Sequence, residues 1–175
     1  MKKNIKLYNL IFPVSMFLTF APSFWIISAA GNFIIDSIVL LFIILILCKK
    51  MDWSIYKKAI LRVWIAGFAS DFIGSLILTL VSLSVKSNYY YGNGDLLSQI
   101  KTGIYHATNF SPFRSLWGVM FAASGILIAA ICIFIFNYFI SFKSIDFTKK
   151  QKLLAALSLA VFTAPYTFLL PVEWF

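Results

Sequence analysis

Stretches of about 20 apolar residues recur along this chain, and no other feature narrows its fold so far. A helix needs that length to cross the hydrocarbon core of a bilayer, where every backbone N–H and C=O must bond within its own segment. Five stretches meet the requirement, at 7–29, 31–48, 63–85, 115–142 and 153–174. Composition agrees: of 175 residues, 61% are apolar and 12% charged, where a soluble domain carries about 25% charged residues. A water-soluble globule is excluded. The prediction is an all-α integral membrane protein, a five-span bundle forming a single transmembrane domain over residues 1–175, with the lipid bilayer as its first partner.

The first two spans meet at Ala29-Ala30-Gly31, which predicts a tight helical hairpin in which Gly31 ends one helix and Asn32 opens the next. A competing pattern is a secretory signal, with a basic start, an apolar run and a cleavage-like Ser28-Ala29-Ala30. The run is longer than the usual signal core of about 7 to 15 residues, so the uncleaved five-span reading is preferred.

Lys and Arg are retained on the cytoplasmic side of a membrane, which sets the orientation. With the N-terminus inside, the inner set comprises Lys2, Lys3 and Lys6, then Lys49, Lys50, Lys57, Lys58 and Arg62, then Lys143, Lys149, Lys150 and Lys152. Only Lys86, Lys101 and Arg114 fall outside, and the bias alternates at every loop. The C-terminus is then outside. The formal net charge of +9 is thereby explained as membrane orientation. Nucleic acid is not an expected partner, because the bases are scattered between apolar runs and form no contiguous wet face. Lys, Asn, Ile and Phe usage suggests an AT-rich bacterial genome, hence a multi-pass protein of the plasma membrane.

Two connections have character. Residues 49–62 mix Trp53, Ile55, Tyr56 and Ile60 with four lysines; the preferred reading is a positive-inside loop with a helix cap, the other a segment lying along the inner leaflet. The outer loop, 86–112, contains Asn93-Gly94-Asp95, which predicts a turn into a short helix capped by Asp95 and running to about His106. Small residues at four-residue spacing mark the helix seams: Ala66, Ser70 and Gly74, then Gly118 and Ala122, then Ala156, Ala160 and Ala164. Pro13, Pro22 and Pro165 fall within apolar runs, where each predicts a kink and a released carbonyl, on Asn9, Leu18 and Val161.

The costliest residues are Asp36 and Asp71, since a carboxylate in mid-helix costs about 2.5 to 3.5 kcal/mol to insert. Counted from the start of its span, Asp71 lies about 12 Å from the inner end, at the depth of Asn137, Ser158 and the carbonyl freed by Pro165, which predicts an inner polar cluster. Asp36 lies about 8 Å below the outer end of its span, near Asn32 and within snorkelling reach of Arg114. Asp71 has no base at its own depth, so it must carry a proton or hold a cation. Structural hydrogen bonding of a neutral acid is the plainer alternative.

Other chemistry is thinly represented. Cys48 and Cys132 lack disulfide or metal spacing, and no base stands beside either for covalent catalysis. His106 reads as an interfacial side chain, and Asn109-Phe110-Ser111 is a weak glycosylation sequon. No HExxH, GxSxG or phosphate-binding glycine loop occurs, and no cofactor is implied. The leading expectation is a small transporter, channel or transporter subunit using Asp71 and Asp36. The second is a non-catalytic assembly or regulatory partner in a larger membrane complex or homo-oligomer, with the small-residue ridges as its interface. A membrane-embedded enzyme ranks third, because Phe68, Ala69 and Ser70 before Asp71 depart from the Gly-x-Gly-Asp setting of an aspartyl intramembrane protease.

Overall fold

The computed structural model describes the backbone of residues 22–86 and 95–171, and the side chains of 29–85 and 95–171. The described residues are helical, without strands. Helix α1 spans Pro22–Cys48, α2 Trp53–Lys86 and α3 Leu96–Asn109. A 3-10 turn, Pro112–Arg114, leads into α4, Leu116–Phe136, which continues through a π-helical turn, Asn137–Ser141. Helix α5, Lys149–Phe162, precedes a 3-10 turn at Tyr166–Leu169. Among the described residues, four helical stretches are long and apolar enough to cross a membrane: Ala29–Cys48, Trp53–Val85, Leu116–Ser141 and Lys149–Leu169. Their exposed side chains include Ile34, Phe42, Ile46, Leu127, Phe139 and Phe162. Large aliphatic and aromatic groups turned outward on every long helix are at home in lipid and costly in water.

The hairpin predicted at Ala29-Ala30-Gly31 is not there. Helix α1 runs unbroken through it, because alanine is the strongest helix former and one interior glycine costs only about 1 kcal/mol. The Ala29 carbonyl accepts a hydrogen bond from Trp64 Nε1 at 2.9 Å, which ties this stretch to α2. Residues 7–21 of the first predicted span, with Pro13, lie outside the described residues, as do the turn at Asn93-Gly94 and the C-terminal four residues. Pro22 is the first described residue of α1. Pro165 kinks nothing: α5 has already ended at Phe162, with Thr163 as its C-cap, and proline just past a helix end is a common stop.

Of the loop with a helix cap expected at 49–62, the cap is present but most of the loop is helix. Asp52 Oδ1 accepts from the backbone N–H of Ser54 at 2.9 Å and of Ile55 at 3.2 Å, so α2 begins at Trp53 and the connection shrinks to residues 49–52. Lys49 closes α1 with φ 55°, a left-handed conformation that costs a side-chain-bearing residue about 1 to 2 kcal/mol. Lys49→Gly should therefore stabilise the protein by about 1 kcal/mol, seen as a higher midpoint in thermal unfolding in detergent.

The chain divides into two compact units. One comprises residues 22–74 and 125–165. Its core joins Leu40 and Ile44 of α1, Val63 of α2, Ile133 of α4 and Leu159 of α5, with Phe142 beyond the π turn. Ala155, Ala156 and Ala160 are buried on α5, and side chains that small let helix backbones approach. Thr148 and Gln151 form a reciprocal capping box at the start of α5, and Gln151 Nε2 also donates to the Leu47 carbonyl at the end of α1. Arg62 donates to the Ser144 hydroxyl, so the connections at 49–52 and 142–148 lie at the same end of this unit.

The other unit comprises residues 75–124 and 166–175 where described. Asp95 caps α3 as predicted, accepting from Ser98 N–H at 3.1 Å, and the helix runs to Asn109. Helix α3 packs on the start of α4 through two glycines. A Cβ on Gly103 would stand 2.4 Å from Trp117 Cβ, and one on Gly118 would stand 2.7 Å from the Pro112 carbonyl oxygen. The Arg114 guanidinium lies 4.4 Å above the centre of the Phe110 ring, and the Asn109 amide donates to the Tyr105 carbonyl.

Candidate functional site

Helices α1 and α2 run antiparallel, and each presents two key residues one turn apart: Asn32 and Asp36 on α1, Gly67 and Asp71 on α2. Four residues make about one turn, so each pair shares a face. Antiparallel register sets Asn32 opposite Asp71, where its Nδ2 donates to Asp71 Oδ2 at 2.8 Å. The same register sets Asp36 opposite Gly67, with Asp36 Oδ2 only 3.0 Å from the position a Cβ on Gly67 would take. The missing side chain is what admits the carboxyl to the seam. Thr163, at the end of α5, places its side chain against Asp36.

Both acids are withdrawn from the surface, Asp36 with 3% and Asp71 with 8% of its area exposed. The groups found at the carboxyls are neutral, an amide and a hydroxyl, and the two acids are close enough to act on one another electrostatically. Among the described residues, Asp36 Oδ2 and Asp71 Oδ1 have no hydrogen-bond partner. Two like charges side by side in an apolar setting repel each other and lack water, so the pair favours uptake of positive charge.

Of the six residues expected to form polar sites, this arrangement brings together Asn32, Asp36 and Asp71. Asn137 is elsewhere. It opens the π turn, fully buried, with Nδ2 donating to the Ile133 carbonyl at 2.8 Å and Oδ1 without a partner. Its neighbours Ile133 and Phe142 belong to the core cluster that includes Ala59, Ile60 and Val63, about 12 to 18 Å along α2 from Asp71. Ser158 is half-buried on α5. Arg114 belongs to the other unit, where it ends a 3-10 turn. The carbonyl of Val161 is no ligand freed by Pro165, since the helix has ended before the proline.

Gly67 and Thr163 were not singled out from sequence. The signal for Gly67 was present: Asn32-x-x-x-Asp36 and Gly67-x-x-x-Asp71 are matched one-turn pairs on consecutive helices. Thr163 has no such signature, because it arrives from a helix more than 90 residues downstream. His106 is half-buried with Nδ1 unpartnered, its ring near Tyr105 and Phe110. Both cysteines are free thiols.

Set against known protein families, curated proteins and solved structures, the chain matches none of them.

Proposed function

We propose that this polytopic protein is a small transporter, channel or transporter subunit of the plasma membrane in which Asp36 and Asp71 form the ion-loading site. The observation that carries this reading is the meeting of two buried acids across α1 and α2 with an unpartnered oxygen on each. Intramembrane acids are expensive, and among the described residues no base stands at either carboxyl. The end of the unit that holds the connections at 49–52 and 142–148 carries Lys49, Lys50, Arg62, Lys143 and Lys149, so it faces the cytoplasm. Helices α1 and α4 then run inward, and α2 and α5 outward.

The reading as an assembly partner draws on the small-residue ridges as an external interface. Ala66, Ser70, Ala156 and Ala160 are buried within this chain already, which favours the transport reading over it.

Purified protein in liposomes of phosphatidylethanolamine and phosphatidylglycerol, loaded with pH-sensitive or sodium-sensitive dye, should accelerate ion movement under an imposed gradient. Asp71→Asn should reduce that rate at least tenfold while helical circular dichroism and elution volume are kept. Equal flux in the folded variant would remove the proposal.

A further inference from the structure

The acid pair also specifies what it can hold, on the reading above that it is the ion-loading site. Hard metal cations gather about six or more oxygen ligands, or keep several waters of their own. Among the described residues the unpartnered carboxyl oxygens are Asp36 Oδ2 and Asp71 Oδ1, and the Thr163 hydroxyl, which donates its hydrogen to the Leu159 carbonyl, offers its oxygen as a third ligand at most, well short of that number. Asn32 turns its N–H toward Asp71, and a donor aimed at the site repels a metal ion. Asp36 Oδ2 occupies the space a side chain on Gly67 would take, 3.0 Å from where its Cβ would stand. A proton needs only two oxygens.

We infer that Asp36 and Asp71 hold one exchangeable proton between them, one carboxyl protonated and the other ionised, and that the site loads a proton and not a metal cation. Loading transfers a proton from hydronium to a carboxylate oxygen of the pair, leaving water and a new O–H bond. Release returns it to water and leaves two like charges, so it requires solvent to reach the pair. Other ionisable groups on the packed helices are engaged or lie toward the basic end. Tyr56 donates to the Ser37 hydroxyl at 3.2 Å, Arg62 donates to Ser144, and Lys57, Lys58, Lys149 and Lys150 are exposed. Tyr138 stacks with Phe134.

Infrared spectroscopy of the full chain in lipid nanodiscs at neutral pH tests this. With isotope-labelled aspartate, the wild type should show the stretch of one protonated carboxyl, shifted on exchange into heavy water and lost in D36N/D71N. Radiolabelled sodium and calcium should bind the wild type no more than they bind that double variant. A folded wild type with no protonated carboxyl, or with two by band intensity, overturns the inference, as does metal binding that the double variant loses. Should the double variant fail to fold, the wild-type band, D36N and D71N decide the case. A shared proton in a protein that moves no ion in liposomes upholds this inference and removes the transport reading. Sodium flux lost in D71N does the reverse.

Discussion

Gly103→Ala should undo the packing of α3 on α4 and lower the stability of the unit around them by about 1 to 3 kcal/mol, the usual cost of overfilling a close-packed contact. The new methyl would stand 2.4 Å from Trp117 Cβ, 2.9 Å from Ser115 Oγ and 3.0 Å from the Gly118 nitrogen. Trp117 Cβ is one bond from the backbone and the Gly118 nitrogen belongs to it, so neither can swing aside. Ser115 is also committed, since its Oγ accepts from Gly118 N–H at 2.9 Å in capping α4. Gly118→Ala meets the Pro112 carbonyl oxygen at 2.7 Å and should behave the same way. Gly31→Ala is the control: its Cβ meets nothing within 4 Å, and an interior helix position gains about 0.5 to 1 kcal/mol from the exchange. Thermal unfolding in detergent, with proteolysis of the 86–112 segment, reads all three variants. A Gly103→Ala protein as resistant as the wild type would show that the close approach of α3 and α4 is wrong.

Asn32→Leu should destabilise the protein by about 1 to 3 kcal/mol, because it leaves Asp71 Oδ2 buried without the N–H that satisfies it. Adding Asp71→Leu should recover most of that loss. Removing both partners of a buried polar pair is often close to neutral, whereas removing one leaves the other's desolvation uncompensated. The double variant is thus expected to fold well and to move no ions, which separates the cost of keeping this site from its use. Denaturant titration of the four proteins of the cycle measures the coupling, and additive single effects would mean that Asn32 and Asp71 do not interact.

Membrane character was legible because apolar runs of that length have one stable solution in lipid. The Asp95 cap of α3 was legible for a related reason, an acceptor placed three residues before a free N–H. The Thr148-x-x-Gln151 capping box has the same local logic, set among the surrounding lysines. What failed was inference over distance. Starting the third apolar span at Val63, when α2 starts ten residues earlier at Trp53, put Asp71 about 12 Å from the inner end; it lies about 27 Å along its helix. That single boundary assigned Asp71 to Asn137 and Ser158 and separated it from Asp36. At Ala29-Ala30-Gly31 a local rule misled in the other direction, since one glycine permits a turn without requiring one. Asp36 and Asp71 stand out in the sequence as the costly residues, with Asn32 near Asp36. Their common location follows from helix register, which composition does not encode.

Helix α2 contains 34 residues, which at about 1.5 Å each make a rod of roughly 51 Å against a hydrocarbon core of about 30 Å. Leaning alone does not absorb the difference, because the required angle exceeds the roughly 40° at which membrane helices stop tilting. Part of the rod must stand in the headgroups and water, and its first turns carry Lys57, Lys58 and Arg62. These charges are mounted on a stiff post continuous with the helix that bears Asp71. Bilayer thickness therefore sets how far the cations project from the lipid, and any change in the lean of the post is felt at once by the carboxyl further along it.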